Sequence, residues 1–569
     1  MNRISLGLTG LSSPAGGSFP TWTTFILLIG ILGAGGLLSE RGFVAAALAQ
    51  TPPPHPVWGE VYAGGELEEY LRLVQIAGAA PVYPFSIRSF SVKEVTALSP
   101  GDSAHPWSSR FLLQPGSSGG VRYQLHAPRT ALVYNSAFPY GTNDGALWSG
   151  RGASTVLQLG ATARYGAISL SLAPTAFWAQ NADFEVTQQV GDSVQGAPYR
   201  DWRRPTQIDL PQRFGDGSYA RVDWGESTLR GDALGAALGL STARQIWGPA
   251  SEFPLVLGPN APGFAHAFAG TSNPMNIWIG RGHGRFVWGR LEQSEYSPVS
   301  PDSSARFMAG IVAVFTPRWV PGLEIGGSRF FHSPWPAEGL TLRHLLKPLE
   351  TFVKVDLQGP DEEEIAESAV ANQLASFFAR WVFPGVIEVY GELASEDHRQ
   401  NFRDFILEPD HNSAYTIGAR KLWRRAEGEF WTLRGEVLNA EPSHLARARR
   451  QEPFYVHALT RQGHTHRGQV LGSPAANGGA GSLFQADRYH PGGRWSLAWR
   501  RTLRQEYGEY LETGKVERPD VLQSLRAEAL LFRGRWELLG GVEGVYNFNR
   551  DFDSGLFNLN ASIGVRARL

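Results

Sequence analysis

From Phe557 to Leu569 the chain reads FNLNASIGVRARL, and every second residue is apolar: Phe557, Leu559, Ala561, Ile563, Val565, Ala567 and Leu569. Between them stand Asn558, Asn560, Ser562, Gly564, Arg566 and Arg568. Side chains of a strand alternate between its two faces, so this stretch is a strand with one apolar face. A strand in a soluble sheet usually runs about 5–6 residues, whereas a tilted strand crossing a bilayer needs about 9–11. The segment is long enough for the second and too long for most examples of the first.

Other stretches repeat the pattern. STVLQLGATARYGAISLSLAP (154–174) alternates, turns at Tyr165-Gly166 and alternates again. SLRAEALLFRGRWELLGGVEGVYNF (524–548) turns around Arg533-Gly534-Arg535, and residues 494–511 set Trp495, Leu497 and Trp499 on one face. A two-residue turn with glycine makes a tight hairpin. Beyond residue 50 no apolar run approaches the ~20 residues of a spanning helix. The expected fold is all-β, a transmembrane antiparallel β-barrel; the competing reading of each segment is a strand of a soluble sandwich. The 18 Trp and 17 Tyr suit the aromatic girdles of such barrels.

The start of the chain points to export. Arg3 precedes the apolar run Phe25–Leu38, and Ala47-x-Ala49 offers a cleavage site. Residues 1–49 are therefore expected to be a signal peptide, with a membrane anchor as the competing reading. The chain has no cysteine, which fits passage through an oxidising compartment and excludes thiolate chemistry. Residues 50–115 differ in pattern from the alternating segments. Leu67, Tyr70, Leu71 and Val74 fall on one helical face, and Ser91 with Glu94 forms a capping box before a second helix. DSAHPWSSRFLLQ (102–114) is expected to start a third. This helical region belongs in the periplasm, ahead of a barrel over 116–569 in the bacterial outer membrane.

Chemistry is sparse. Charge is balanced, with 52 Lys+Arg against 53 Asp+Glu, so nucleic acid is not an expected partner. There is no P-loop, G-x-S-x-G or H-E-x-x-H, and GRGHGRF (280–286) lacks a dinucleotide-site setting. His464 and His466 stand two apart and would share a face of a strand, but no third ligand accompanies them. DEEE (361–364) reads as the acidic start of a loop helix, and EDH (396–398) as a solvated loop. No cofactor, metal or nucleophile–base pair is expected, which makes the protein non-enzymatic; an outer-membrane hydrolase is the third reading.

One stretch resists both periods. IWGPASEFPLVLGPNAPGFAHAF (246–268) is apolar and aromatic, yet prolines and glycines break every strand or helix. Irregular backbone at membrane depth must be buried in protein or line a cavity, so this segment is expected inside the barrel or capping its rim. Trp247-Gly248-Pro249 and the run from Gly258 to His266 resemble the central signature of the Wzi capsule-assembly family. NDGALWSGRG (143–152), LPQRFGDGSY (210–219), WGRLEQSEY (288–296), GELASEDHR (391–399), EPDHNSAYTIG (408–418) and YVHALTRQGHTHRGQVLG (455–472) match further blocks, in order, over most of 57–569. The resemblance is to the broad family. It implies about 18 strands, a periplasmic helical part and a lectin-like role in holding capsular or other surface polysaccharide at the cell surface. Implied partners are that polysaccharide, outer-membrane lipid and the barrel-assembly machinery, with a monomer sufficient. The candidates for polysaccharide binding or for plugging the lumen are Trp148, Trp247, Asn260, Phe264, His266, His411, His464 and His466. A sugar- or anion-conducting channel is the alternative function.

Overall fold

The structure is a computed structural model that describes residues 55–57, 61–98, 105–113, 120–187, 199–201, 203–204, 206–301, 304–349, 371–396, 411–425, 428–442, 452–504 and 519–568. The expected signal peptide, the DEEE segment, and Asp397 and His398 lie outside these residues.

The strands close into one antiparallel barrel. The first four are each interrupted once: β1 is Arg122–Leu125 and Arg129–Asn135, β2 is Gly152–Gln158 and Ala161–Tyr165, β3 is Ile168–Leu172 and Thr175–Ala179, and β4 is Tyr219–Asp223 and Thr228–Ala233. Next come β5 (Ala236–Ser241), β6 (His266–Thr271), β7 (Gly280–Leu291), β8 (Arg306–Pro317), β9 (Leu323–Pro334) and β10 (Asn372–Phe383). The rest are β11 (Ile387–Glu396), β12 (Ser413–Arg424), β13 (Phe430–Asn439), β14 (Ala480–His490), β15 (Gly493–Leu503), β16 (Val521–Arg533), β17 (Trp536–Arg550) and β18 (Ser554–Ala567). Each pairs with its neighbours in sequence, and β18 closes on β1 from Asn560↔Asn135 to Arg566↔Arg129. Eighteen barrel strands are thus seen among the described residues, the number that the family resemblance implies.

The alternation of β18 sorts as its sequence demands. Phe557 and Ile563 are exposed on the outside, whereas Asn558 is fully buried within. Leu170, Leu229, Leu240, Phe377, Leu393, Ile417, Leu433 and Leu497 continue the exposed apolar belt. Trp319, Trp381, Trp423, Trp431, Trp495 and Trp536 are exposed at one end, beside the tight turns, where a girdle belongs. No helix among the described residues is long and apolar enough to cross a membrane. The expected hairpins at Tyr165-Gly166 and Gly534 are present, both glycines at positive φ. The other short turns, from β2–β3 to β16–β17, lie at this end; the long connections lie at the other, together with the short β17–β18 turn at residues 551–553.

Inside, protein fills much of the lumen. Helices α1 (Glu66–Ile76) and α2 (Val92–Leu98) pack at the short-turn end. Gly385, in the β10–β11 turn, donates its N–H to Ile76 O at 2.6 Å. The capping box forms as its spacing requires: Ser91 N donates to Glu94 Oε2 at 2.8 Å, and Glu94 N to Ser91 Oγ at 3.3 Å. The expected third helix is not seen among the described residues. Residues 105–110 form turns and Phe111–Leu113 is a short strand parallel to His55–Val57. Trp107 anchors the turn to the wall, its indole N–H donating to His490 O and Gly493 O at 3.1 and 3.2 Å.

Candidate functional site: a cavity above a plugged lumen

The segment that resisted both periods is the heart of the plug. Residues 242–265, between β5 and β6, fold into the barrel, where Ile246–Trp247 pairs with Ile87–Arg88. Trp247, Phe253, Leu255, Val256, Leu257, Ala261 and Phe264 join an apolar core with Phe454, Tyr455 and Leu471 from the β13–β14 connection. Room for them is cut by glycine: a Cβ at Gly310 on β8 would lie 2.6 Å from the Trp247 ring. Gly248 has φ +92°, and a Cβ there would lie 2.6 Å from Glu392, so its backbone suits glycine alone.

An irregular plug leaves backbone N–H groups without a ladder, and each must find an acceptor. Inward-facing carboxylates of the wall supply them. Glu436 on β13 accepts from Ser251, Glu252 and Phe253 N at 3.1, 2.9 and 2.6 Å. Glu324 on β9 accepts from Phe85 and Ser86 N at 2.9 and 2.8 Å. Glu396 accepts from Tyr455 N at 2.5 Å. Arginines reverse the logic. Arg72 of α1 pairs with Glu388 at 3.0 Å and donates to Pro249 O at 2.9 Å. Arg88 pairs with Glu68 at 3.0 Å and donates to Gly248 O and Ala250 O. Helices, plug and wall are one hydrogen-bonded unit. In the helices, burial would raise Glu69 and Glu94, but it is outweighed, by Arg420, Arg434 and Arg72 at Glu69 and by His283 and Arg230 at Glu94; both carboxyls fall to about 2.

Above the plug, at the long-connection end, lies a cavity of about 340 Å³. The β1–β2 connection forms one wall. Asn135 pins it by donating Nδ2 to Tyr140 O, Ser149 O and Gly150 O, and Asn558 Oδ1 accepts from Ala137 N at 2.8 Å. The floor is a charge network: Arg500 meets plug residue Glu252 at 2.5 Å and the Tyr140 hydroxyl at 3.0 Å, and that hydroxyl donates to Glu543 at 2.7 Å. A second network edges it. Arg203 pairs with Asp520 at 2.8 Å, while Arg504 and Arg550 approach Asp551 at 3.6 and 3.5 Å. Burial would raise Asp551, but Arg504, Arg550 and Arg203 hold it at about 2. Trp148 stands at the opposite side, edge-on to Phe214 at 5.0 Å. Asn143 Oδ1 and Ser149 Oγ, both on the lining, have no protein hydrogen-bond partner. Aromatic rings beside ion-paired arginines in one hollow are chemistry for a hydroxyl-rich ligand.

Of the residues singled out from sequence, Trp148 and Asn260 line this cavity; Asn260 also donates to Val470 O at 2.8 Å. Trp247 is fully buried and Phe264 nearly so, both packed in the plug core. His266 Nδ1–H donates to Phe264 O at 2.7 Å. His411 is buried just before β12. His464 and His466 do not act together: His464 Nε2–H donates to Val256 O at 2.6 Å, and His466 Nδ1 accepts from Glu292 N at 3.0 Å. Burial pushes the His464 imidazole down to about 3 and His466 well below its usual value. No group of three or more His, Asp or Glu placed to hold a metal is found among the described residues. Tyr140, Arg203, Glu252, Arg500, Arg504 and Asp551 were not singled out. They come from separate connections and strands, so no local spacing marks them. The one available signal was their charge at lumen-facing positions.

Fold and site define a class: an eighteen-stranded transmembrane β-barrel with a plug folded inside it and a polar cavity at its long-connection end. No family model matches the chain, and no curated protein matches its sequence. Among solved structures it is similar to Wzi, described as an outer membrane protein involved in group 1 capsule assembly in Escherichia coli and a carbohydrate-binding β-barrel. The match has 14% identity and a TM-score of 0.57, covering 90% of this chain and all of that one. The chain therefore has the fold of Wzi. OccK8 (OprE) of Pseudomonas aeruginosa (7% identity, TM-score 0.36, 79% of this chain, 97% of that) and a Rh. blastica porin mutant (10%, 0.30, 79%, 99%) match more loosely.

Proposed function

We propose that this protein is a distant relative of Wzi that resides in the bacterial outer membrane and binds surface polysaccharide without catalysing a reaction. The cavity faces outward, the short-turn end and its helices face the periplasm, and outer-membrane lipid wets the apolar belt. Short turns on the periplasmic side and long loops outside are the rule for such barrels. The amphipathic β18 suits delivery by the barrel-assembly machinery, and a monomer suffices. The observation that carries the reading is the cavity itself, set with Trp148 and ion-paired arginines above the plug. A single short sugar segment would bind weakly, and repeats along the polymer would add avidity.

The test is titration of the detergent-solubilised protein with polysaccharide extracted from the surface of the cell that makes it. Saturable binding that Trp148→Ala weakens is expected. Absence of binding together with steady ion conductance would favour the channel reading. That alternative has one observation behind it: part of the wall inside the barrel is solvent-accessible, the Arg526 side chain by 37%.

A further inference from the structure

We infer that the binding site does not end at the cavity but continues over a ridge of aromatic rings to the outer lip of the barrel, so that its ligand is an extended glycan chain rather than a short sugar. This rests on the cavity being a saccharide site. The ridge starts at Trp148 on the cavity lining and steps to Phe214 at 5.0 Å, to Tyr296 at 6.1 Å and to Tyr199 at 5.6 Å. Tyr219 stacks on Phe214 at 4.4 Å and broadens it. These rings come from three long connections and the start of β4, so no repeat in the sequence announces them. Phe214 is buried and supports the others, whereas Trp148, Tyr219, Tyr296 and Tyr199 are each half-buried, keeping part of a ring open.

The ridge is held in shape before any ligand arrives. Asn181 Nδ2 donates to Phe214 O, Gly215 O and Gly217 O at 3.0, 2.9 and 2.7 Å. Arg200 ties the Tyr199 segment to the Tyr296 segment, donating to Tyr296 O and Ser297 O at 3.1 and 3.0 Å. Gly215 sits at φ +75°, where a Cβ would lie 2.9 Å from the Tyr296 hydroxyl. A fixed row of rings costs a ligand little ordering entropy. At its far end the ridge is fringed by acceptors: the Asp183 and Asp216 side chains are 90% and 84% exposed, and the buried Arg213 between them pairs with Asp183 at 2.6 Å. Pyranose rings present a C–H face that stacks on aromatic rings and an equatorial fringe of hydroxyls that donates to carboxylates, which is the complement of this surface. Each step along the ridge is about one sugar ring in size, so a chain seated in the cavity would lay its next residues on Phe214's neighbours.

The experiment is a chain-length series. Oligosaccharides of graded length, cut from the surface polysaccharide of the producing cell, are titrated against the full-length protein in detergent, against Trp148→Ala, and against the double variant Tyr199→Ala/Tyr296→Ala. Heat-modifiable migration on a gel confirms that each variant keeps its barrel. In the wild type, affinity is expected to climb with length beyond the fragment that fills the cavity. The double variant should bind short fragments as the wild type does and bind long ones roughly tenfold more weakly. Tyr199→Phe/Tyr296→Phe keeps the rings and should retain most of the gain. A double variant that loses nothing on long chains, or that loses equally on short and long ones, overturns the ridge and leaves the cavity standing. Wild-type protein that binds no fragment, or Trp148→Ala that binds all of them normally, overturns the cavity and the ridge with it.

Discussion

The two halves of the lumen are built on the same alternation and filled in opposite ways. From β7 to β13 the inward-facing residues are almost all buried; Glu324, Arg380 and Glu388 are fully enclosed. From β15 through β18 to β2 many are not: the Arg526 side chain is 37% exposed, Arg566 27%, and Ser562, Asn560, Arg129 and Ala131 are half-buried. The apolar plug core takes residues from β5 to β14 and none from β1 to β4 or β16 to β18. The plug therefore leans on one side of the barrel. On that side wall carboxylates act as sockets for plug backbone; on the other, charged side chains pair along the wall, as Arg526 and Arg494 do with Glu528. At the short-turn end this polar side is bridged too, by Arg566–Glu66 at 3.2 Å and Arg110–Glu537 at 3.0 Å. Period two dictates which residues face inward, but not whether they meet protein or water.

This contrast can be broken by substitution. Glu388→Ala would leave Arg72 and Arg380 buried without their carboxylate, at a cost of about 3–5 kcal/mol, whereas Arg526→Ala on the accessible side should cost at most about 1 kcal/mol. Denaturant unfolding in detergent checks both, and equal losses would erase the distinction between the halves. Trp247→Ala, which opens a hole in the plug core, falls in the same range of about 3–5 kcal/mol. Acid should act next. Glu69 and Glu94 sit at about 2 in the folded protein against 4.5 as free groups. Their contribution is present above the unfolded value and is lost as pH falls from about 4.5 toward 2, so thermal stability should drop in that window, and Glu94→Gln should flatten the drop. The smallest effect concerns access rather than energy. Because the chain has no cysteine, single cysteines at Ser562 and Ala131 can be compared with ones at Ser376 and Thr416. The first pair should react with a small charged thiol reagent added to the folded protein, and the second pair should not.

Legibility in the sequence divides along the same line. Long alternating segments such as 557–569 carry their own evidence, because one face meets lipid along their whole length. The capping box at Ser91 and Glu94 is local as well. Most of the broken stretch 246–268 was legible as a filler of the lumen, since its prolines and glycines exclude a continuous strand; its last three residues, from His266, instead begin β6. The cavity was legible only at Trp148 and Asn260. Its charged floor joins Tyr140, Glu252, Arg500 and Glu543 from the β1–β2 loop, the plug, β15 and β17, and such partners are chosen by closure of the barrel, which no spacing along the chain records. The third helix failed for a related reason: Trp107 finds its acceptors at the end of β14 and the start of β15, and that long-range contact overrides a local preference. The histidines fall on the plug side of the two roles that the sequence offered: a neutral imidazole serves equally well as a buried donor or acceptor, which is how His464 and His466 are used.

The most direct test of a lumen shut by a wall-anchored plug is planar-bilayer conductance of the purified full-length protein at neutral pH. A silent bilayer, with insertion confirmed by recovery of folded barrel from the membrane, is the expected result. Steady currents of the size that an open eighteen-stranded barrel would pass would mean that the plug does not close the lumen, and would contradict the account at its centre.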